Sequence, residues 1–128
     1  AKNKSRGTIC AAKTVSKAQI RSMDRLRQEI AIMRMMDHPN IIRLFDSFED
    51  HRNIYLIMEL CGGADLLDGI IEAGSFTEMQ AATFMQQILR ATYYMHENRV
   101  CHRDLKPQEF LFATKDPIGK NLLKLVDF

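Results

Sequence analysis

His102-Arg103-Asp104-Leu105-Lys106-Pro107 sets a carboxylate and an ammonium two residues apart in a loop stiffened by proline. The carboxylate could accept a hydroxyl proton, and the ammonium could hold the charge of a transferring phosphoryl group. The same run also suits an ordinary solvated, charged loop. Asp127-Phe128 follows the apolar stretch from Leu122 to Val126. A carboxylate leaving a strand tip offers the oxygen donor that a hard cation such as Mg2+ prefers. Its place 23 residues after Asp104, with a strand pair between, lifts it above a chance dipeptide. Lys13 lies among small residues in Cys10-Ala11-Ala12-Lys13, where nothing bulky blocks its reach to an anion. Glu29 is on the following helix and could pair with Lys13, fixing the ammonium toward a phosphate. The plainer alternative is a surface ion pair worth about 0–1 kcal/mol. No histidine or cysteine has zinc-ligand spacing, and His38, His51 and His96 read as structural or exposed.

The elements that position these residues follow from periodicity and caps. Ser5-Arg6-Gly7 reads as a turn and Thr8 to Val15 as a short strand. Ser16-x-x-Gln19 has capping-box spacing, so a helix is expected from Ser16 to just before Pro39. Ile20, Met23, Leu26, Ile30 and Met33 form its apolar face. Ile41 to Phe48 and Asn53 to Leu60 read as strands joined by the polar turn Glu49-Asp50-His51-Arg52. A short helix is expected over Asp65 to Glu72, ended by Gly74. Thr77-x-x-Gln80 is a second capping box, opening a long helix to about Glu97. Phe84, Ile88, Ala91 and Met95 share one face of it; Ala82, Met85 and Leu89 widen the stripe, which predicts burial on more than one side. Short strands at Phe110–Phe112 and Leu122–Val126 flank a loop with Asp116-Pro117 and Gly119. Gly62-Gly63 is the one internal boundary, predicting domains at 1–61 and 62–128.

Composition excludes several classes. The chain has 128 residues, 46% hydrophobic and 27% charged, an ordinary globular mix. A net charge of +2 gives no reason to expect nucleic acid or an anionic membrane as partner. Apolar runs such as Tyr55-Leu56-Ile57-Met58 fall far short of the roughly 18 residues a spanning helix needs. Three scattered cysteines argue against a disulfide framework and fit a reduced, cytoplasmic setting. The eight methionines read as core filler rather than a binding surface.

The ordered set of Lys13, Glu29, the strand pair, Gly62-Gly63, the capped helix, His102-Arg103-Asp104-x-Lys106-Pro107, the second strand pair and Asp127-Phe128 resembles the eukaryotic protein kinase family. Asp37-His38-Pro39-Asn40-Ile41-Ile42, Met58-Glu59-Leu60-Cys61-Gly62-Gly63 and Gly74-Ser75-Phe76-Thr77-Glu78 are similar to the calcium/calmodulin-dependent group, and most to calcium-dependent protein kinases. The resemblance implies an α+β, two-lobe fold truncated at both ends. A partial antiparallel N-lobe sheet with one helix would precede a mostly helical partial C-lobe. It implies ATP and Mg2+ as cofactors and a protein substrate. Lys13 would contact the α- and β-phosphates and pair with Glu29. Met58 would be the gatekeeper, Glu59 and Cys61 would offer backbone groups to adenine, and Ala11 and Leu111 would sandwich the ring. Asp65 would meet the ribose or a basic substrate. Asp104 would be the catalytic base, Lys106 a phosphate contact and Asp127 a magnesium ligand. Met33, Leu44, His102 and Phe128 would form an apolar column coupling the lobes.

Two departures bear on function. The family places asparagine five residues after the catalytic aspartate as the other magnesium ligand, whereas this chain has Glu109. The Gly-rich phosphate loop and the activation segment are not in the sequence, which holds about half of a kinase domain by the usual domain range. The expected function is therefore a fragment of an ATP-dependent serine/threonine kinase, inactive by itself. The alternative is a pseudokinase or kinase-like protein-binding module, with a nucleotide-independent scaffold a distant third. No Asp-x-Asp-x-Asp-Gly calcium loop is present, so calcium control is expected only through regions outside this chain.

Overall fold

Strict alternation in Asn53–Met58 turns Ile54, Leu56 and Met58 to one face, and all three are buried. The computed structural model describes residues 7–127, so the expected turn at Ser5-Arg6 and the role of Phe128 lie outside the described residues. Strand β1 is Ala11–Ser16, β2 is Leu44–Glu49 and β3 is Asn53–Met58, forming an antiparallel sheet of order β1-β3-β2. Asp50 closes the β2–β3 turn: its Oδ1 accepts the Arg52 and Asn53 N–H groups, each at 2.7 Å. The Tyr55 hydroxyl donates to its other oxygen at 2.9 Å.

The helix expected from Ser16 begins later. Helix α1 is Met23–Met35, capped by Ser22, whose side chain accepts from the Arg25 N–H. Ser16 makes no side-chain cap and heads only a single 3-10 turn, Lys17–Gln19. The cause is tertiary. The Lys17 N–H donates to the Arg52 carbonyl at 2.8 Å and its ammonium pairs with Glu49 at 2.9 Å, tying this turn to the hairpin. Ile20 is then extended, and the chain needs a second start. Arg34 joins α1 to β2, donating to Ser47 Oγ beside Asp46.

The chain divides into two units, the described residues of Ala1–Met36 with Arg43–Leu60, and of Asp37–Ile42 with Cys61–Phe128. Residues 37–42 were expected to lead into β2 through Ile41. They instead join the second unit, because backbone bonds hold them to Leu125: Leu125 N–H to Asn40 O at 2.8 Å and Ile42 N–H to Leu125 O at 2.9 Å.

In the second unit, α2 is Leu66–Ala73, with Asp65 as N-cap and Gly74 at φ +74 closing it. Helix α3 is Glu78–Glu97, opened by the Thr77–Gln80 capping box that the spacing predicts. Its buried residues are Phe84, Gln87, Ala91 and Met95, while Met85 and Leu89 are 53% and 59% exposed. The expectation of burial on more than one side fails, because the described elements cover only one face of this helix. Phe110–Phe112 (β4) and Leu123–Leu125 (β5) pair antiparallel, with Leu111 opposite Lys124. Gly63 lets the chain approach β4 closely: its N–H donates to the Phe112 carbonyl at 3.0 Å, and a Cβ there would lie 2.5 Å from that of Phe112.

His38 accepts the Asn40 N–H on Nδ1 at 3.0 Å and stacks at a tilt on Tyr94. Its pKa is lowered, first by burial and then by the charges of Arg90 and Lys124. The folded unit therefore favours the neutral ring, while the unfolded chain binds a proton near pH 6.5. Stability present above pH 6.5 should fall as pH drops through the lower folded value. Denaturant midpoints measured from pH 7.5 to 5 should show this slope, and His38→Asn should flatten it; an unchanged slope would assign it to other groups.

Candidate functional site

The expected site residues fall into two groups, one in each unit. In the first unit, β1 places Ala11 opposite Met58 and Lys13 opposite Leu56 on β3. Partners directly opposite share a sheet face, so Ala11, Lys13, Leu56 and Met58 form one surface of small and apolar residues around a single ammonium. Lys13 is exposed and Met58 is buried. Glu59 follows Met58 directly, its N–H donating to the Arg43 carbonyl at 2.9 Å. Lys13 and Glu29 do not pair. Glu29 lies 3.8 Å from Arg25 on its own helix, and among the described residues Lys13 makes no ion pair within 4.0 Å. Met33 and Leu44 also belong to this unit, half-buried and buried.

The second unit brings more of the site together. Cys61 is half-buried and starts the turn that Gly62 and Gly63 dock on β4. Asp65 and Leu111 form an isolated antiparallel bridge, so two expected nucleotide contacts are neighbours. The Asp65 carboxylate also accepts the Asp68 N–H at 2.8 Å, giving it a capping role irrespective of any ligand.

The loop carrying Asp104 is organised by His102. The Asp104 N–H donates to His102 Nδ1 at 3.2 Å. A backbone N–H can only donate, so Nδ1 is the acceptor and the proton sits on Nε2. Nε2 then donates to the Asp127 carbonyl at 2.5 Å. One neutral ring thus ties the backbone of the expected base to that of the expected metal ligand. Arg103, between His102 and Asp104, takes φ +70, a left-handed conformation that costs a non-glycine residue free energy.

Asp104 is exposed and pairs with the Lys106 ammonium at 2.9 Å; Lys106 also reaches Glu109 at 3.4 Å. The hydrogen bond from Lys106, then its charge, holds the Asp104 carboxyl below the usual carboxylate range. Lys106 is raised by the same hydrogen bond and charge, and further by Glu109. Asp104 is therefore ionised at neutral pH and able to accept a proton, next to a cation able to meet a phosphoryl oxygen. Both groups face water, which screens the pair.

Glu109 ends the 3-10 turn Pro107–Glu109, and its carbonyl accepts the Val126 N–H at 2.9 Å, one residue before Asp127. The two expected metal ligands therefore come from backbone segments joined by a hydrogen bond. Among the described residues no group of three or more His, Cys, Asp or Glu could hold a metal ion. Mg2+ is commonly bound by one or two carboxylates, with waters and substrate phosphates completing its shell. An all-oxygen pair, Asp127 and Glu109, fits a magnesium ion arriving with a nucleotide.

Sequence reasoning missed two buried polar residues, Gln87 and Asn40. The Asn40 amide donates to Gln87 Oε1 at 2.8 Å and to the Leu123 carbonyl at 2.9 Å. Gln87 Oε1 accepts the Leu123 N–H at 2.8 Å. The available signal was a glutamine on the apolar stripe of α3, three residues after Phe84 and four before Ala91.

A model of the protein kinase domain family matches residues 1–128. Calcium-dependent protein kinase 3 of Plasmodium yoelii yoelii is 49% identical over 118 residues, 92% of this chain and 22% of that protein. Calcium-dependent protein kinase 10 of Arabidopsis thaliana is 42% identical over 122 residues, again 92% of this chain and 22% of that protein. Calcium/calmodulin-dependent protein kinase type 1 of Macrobrachium nipponense is 40% identical, covering 90% of this chain and 34% of that protein. The chain thus spans a fifth to a third of the length of these relatives. Rad53, residues 1–466, solved in complex with AMP-PNP, superposes with a TM-score of 0.88 at 36% identity, covering 95% of this chain and 32% of that one.

Replacing Lys106 by Met should move the Asp104 titration up toward the ordinary carboxylate range, because the hydrogen bond and the charge that chiefly lower it both come from Lys106. Carbon-13 NMR of the Asp104 carboxyl across pH 2–6 would follow it; a titration that stays low would assign the effect to the loop backbone.

Proposed function

The chain belongs to the protein kinase family, and from that premise we propose that the full-length protein transfers the γ-phosphoryl group of ATP to serine or threonine hydroxyls of a protein substrate. The observation that carries this reading is the His102 ring, hydrogen-bonded to Asp104 on one side and Asp127 on the other. It joins a proton acceptor to an oxygen donor for a metal, the two requirements of phosphoryl transfer by positioning and electrostatics.

In this reading the Asp104 carboxylate orients the substrate hydroxyl and accepts its proton as the oxygen attacks the γ-phosphorus, whose bond to the bridging oxygen breaks to release ADP. Lys106 exchanges its contacts with Asp104 and Glu109 for a phosphoryl oxygen. Lys13 holds the α- and β-phosphates, with Glu29 as its partner in the active arrangement. Ala11, Leu111, Met58 and the backbone of Glu59 and Cys61 hold the adenine, and Asp65 meets the ribose or a basic substrate residue. Asp127 and Glu109 hold magnesium, which neutralises phosphate charge when bound. Lys106 two residues after Asp104 favours serine/threonine over tyrosine substrates by family resemblance. The setting is cytoplasmic, without a nucleic-acid or membrane partner, and calcium acts through other regions of the protein.

A second reading, a kinase-like module with impaired catalysis, draws on two observations. Glu109 stands where the family has asparagine, and Glu29 is turned to Arg25 rather than Lys13. Phosphate transfer from labelled ATP to a basic serine peptide by the full-length protein separates the two. Asp104→Asn should lower kcat by about 10²–10⁴; transfer that persists in that variant would remove Asp104 as the base. Glu109→Asn should raise kcat by about 10–1,000, since one preorganised charge contact is worth a few kcal/mol. Nucleotide affinity should change little, because the expected adenine contacts are untouched. An unaltered kcat and magnesium dependence would make Glu109 a competent ligand, and a parent left inactive by both changes would favour the impaired module.

A further inference from the structure

Strand β5 is short, fully buried and hydrogen-bonded along both edges. Toward β4, Leu122 O accepts from Ala113, Lys124 is in register with Leu111, and Val126 donates to Glu109. The other edge presents Leu123, Leu125 and Asp127. Leu125 is held by the backbone of Asn40 and Ile42, and Asp127 by the His102 ring. At Leu123 the neighbouring backbone segment has ended, and two side chains replace it. Gln87 Oε1 takes the Leu123 N–H and Asn40 Nδ2 takes the Leu123 carbonyl. The Asn40 amide also donates to Gln87 Oε1, and Gln87 Nε2 donates to the Asn121 carbonyl at 3.3 Å.

We propose that Gln87 and Asn40 are positioning residues for Asp127: their carboxamides complete the open edge of β5 and so fix the strand from which the metal-ligating carboxylate projects. Asn40 acts twice, through its amide at Leu123 and its carbonyl at Leu125. Gln87 orients the Asn40 amide and binds the same strand residue. All these groups are buried, at 4% exposure for Asn40, 8% for Gln87 and 0% for Leu123. Removing either carboxamide leaves buried backbone groups without partners, and the strand must shift to recover them. Such a shift is passed to Asp127, four residues beyond Leu123 and two beyond the end of β5 on the same backbone. The inference rests on the kinase reading of Asp127.

The test measures Mn2+ binding to the full-length protein in the presence of ADP, following free Mn2+ by its paramagnetic resonance signal, with melting recorded in parallel. Asp127→Asn should weaken Mn2+ binding, and Gln87→Met should weaken it by about 10–100-fold, the usual effect of groups that orient a metal ligand. Asn40→Ser should do the same and carries the test if Gln87→Met does not fold. Tyr94→Phe is the control: it removes the Asp37 N–H acceptor on the same helix without touching β5. It should lower the melting temperature and leave Mn2+ affinity unchanged. If Asp127→Asn weakens binding but Gln87→Met and Asn40→Ser do not, the positioning role is wrong and the kinase reading stands. If Asp127→Asn has no effect, the kinase reading of Asp127 fails and the positioning role fails with it.

Discussion

A buried strand must find partners for every backbone N–H and C=O, and within the segment 122–127 of the second unit that requirement falls on Leu123–Leu125. Its even residues bond toward β4 and the residues flanking it. Its odd residues require three different devices in turn: side-chain carboxamides at Leu123, a backbone segment at Leu125 and an imidazole at Asp127. Each bond left unmade at buried Leu123 or Leu125 would cost about 1–3 kcal/mol of desolvation. The protein thus has no inexpensive way to let this strand drift, and residues 37–42 are recruited to the second unit because β5 needs them.

Function grows from the same constraint. The loop that carries Asp104 is joined to the strand end by one histidine whose tautomer is dictated by a backbone donor. Glu109 is joined to it by one carbonyl. The side chains expected to do chemistry at Asp104, Lys106 and Asp127 belong to exposed residues, while the groups that hold their segments are backbone atoms and a ring. This division keeps the Asp104 carboxylate ionised and reachable. It also means that the Lys106 bridge, open to water, contributes orientation more than stability.

Much of this was legible in the sequence. The Thr77 capping box, the Gly74 stop, the Asp50 turn and the strand pair 110–125 are local signals, and they hold because no tertiary contact competes with them. Ser16-x-x-Gln19 has the same spacing as Thr77-x-x-Gln80, yet there the hairpin captures Lys17 and the helix waits for Ser22. Ile41 and Ile42 read as strand on composition, but their partner is Leu125, through an isolated bridge at Ile41 and the Ile42 N–H, a pairing across more than 80 residues that no local pattern encodes. The motif residues Asp104, Lys106 and Asp127 were visible as types at a spacing. The carboxamides of Gln87 and Asn40 were not, because a polar residue inside an apolar pattern announces burial only after its partners are known.

Amide hydrogen exchange along 122–127 reads out how firmly the strand is held, since exchange of a buried bond reports the opening that exposes it. Leu123, Lys124, Leu125 and Val126 should exchange only as slowly as Ala91 and Met95 in α3, through unfolding of the whole unit. Exchange at those strand positions through a separate, easier opening, with α3 still protected, would contradict a firm hold on the strand.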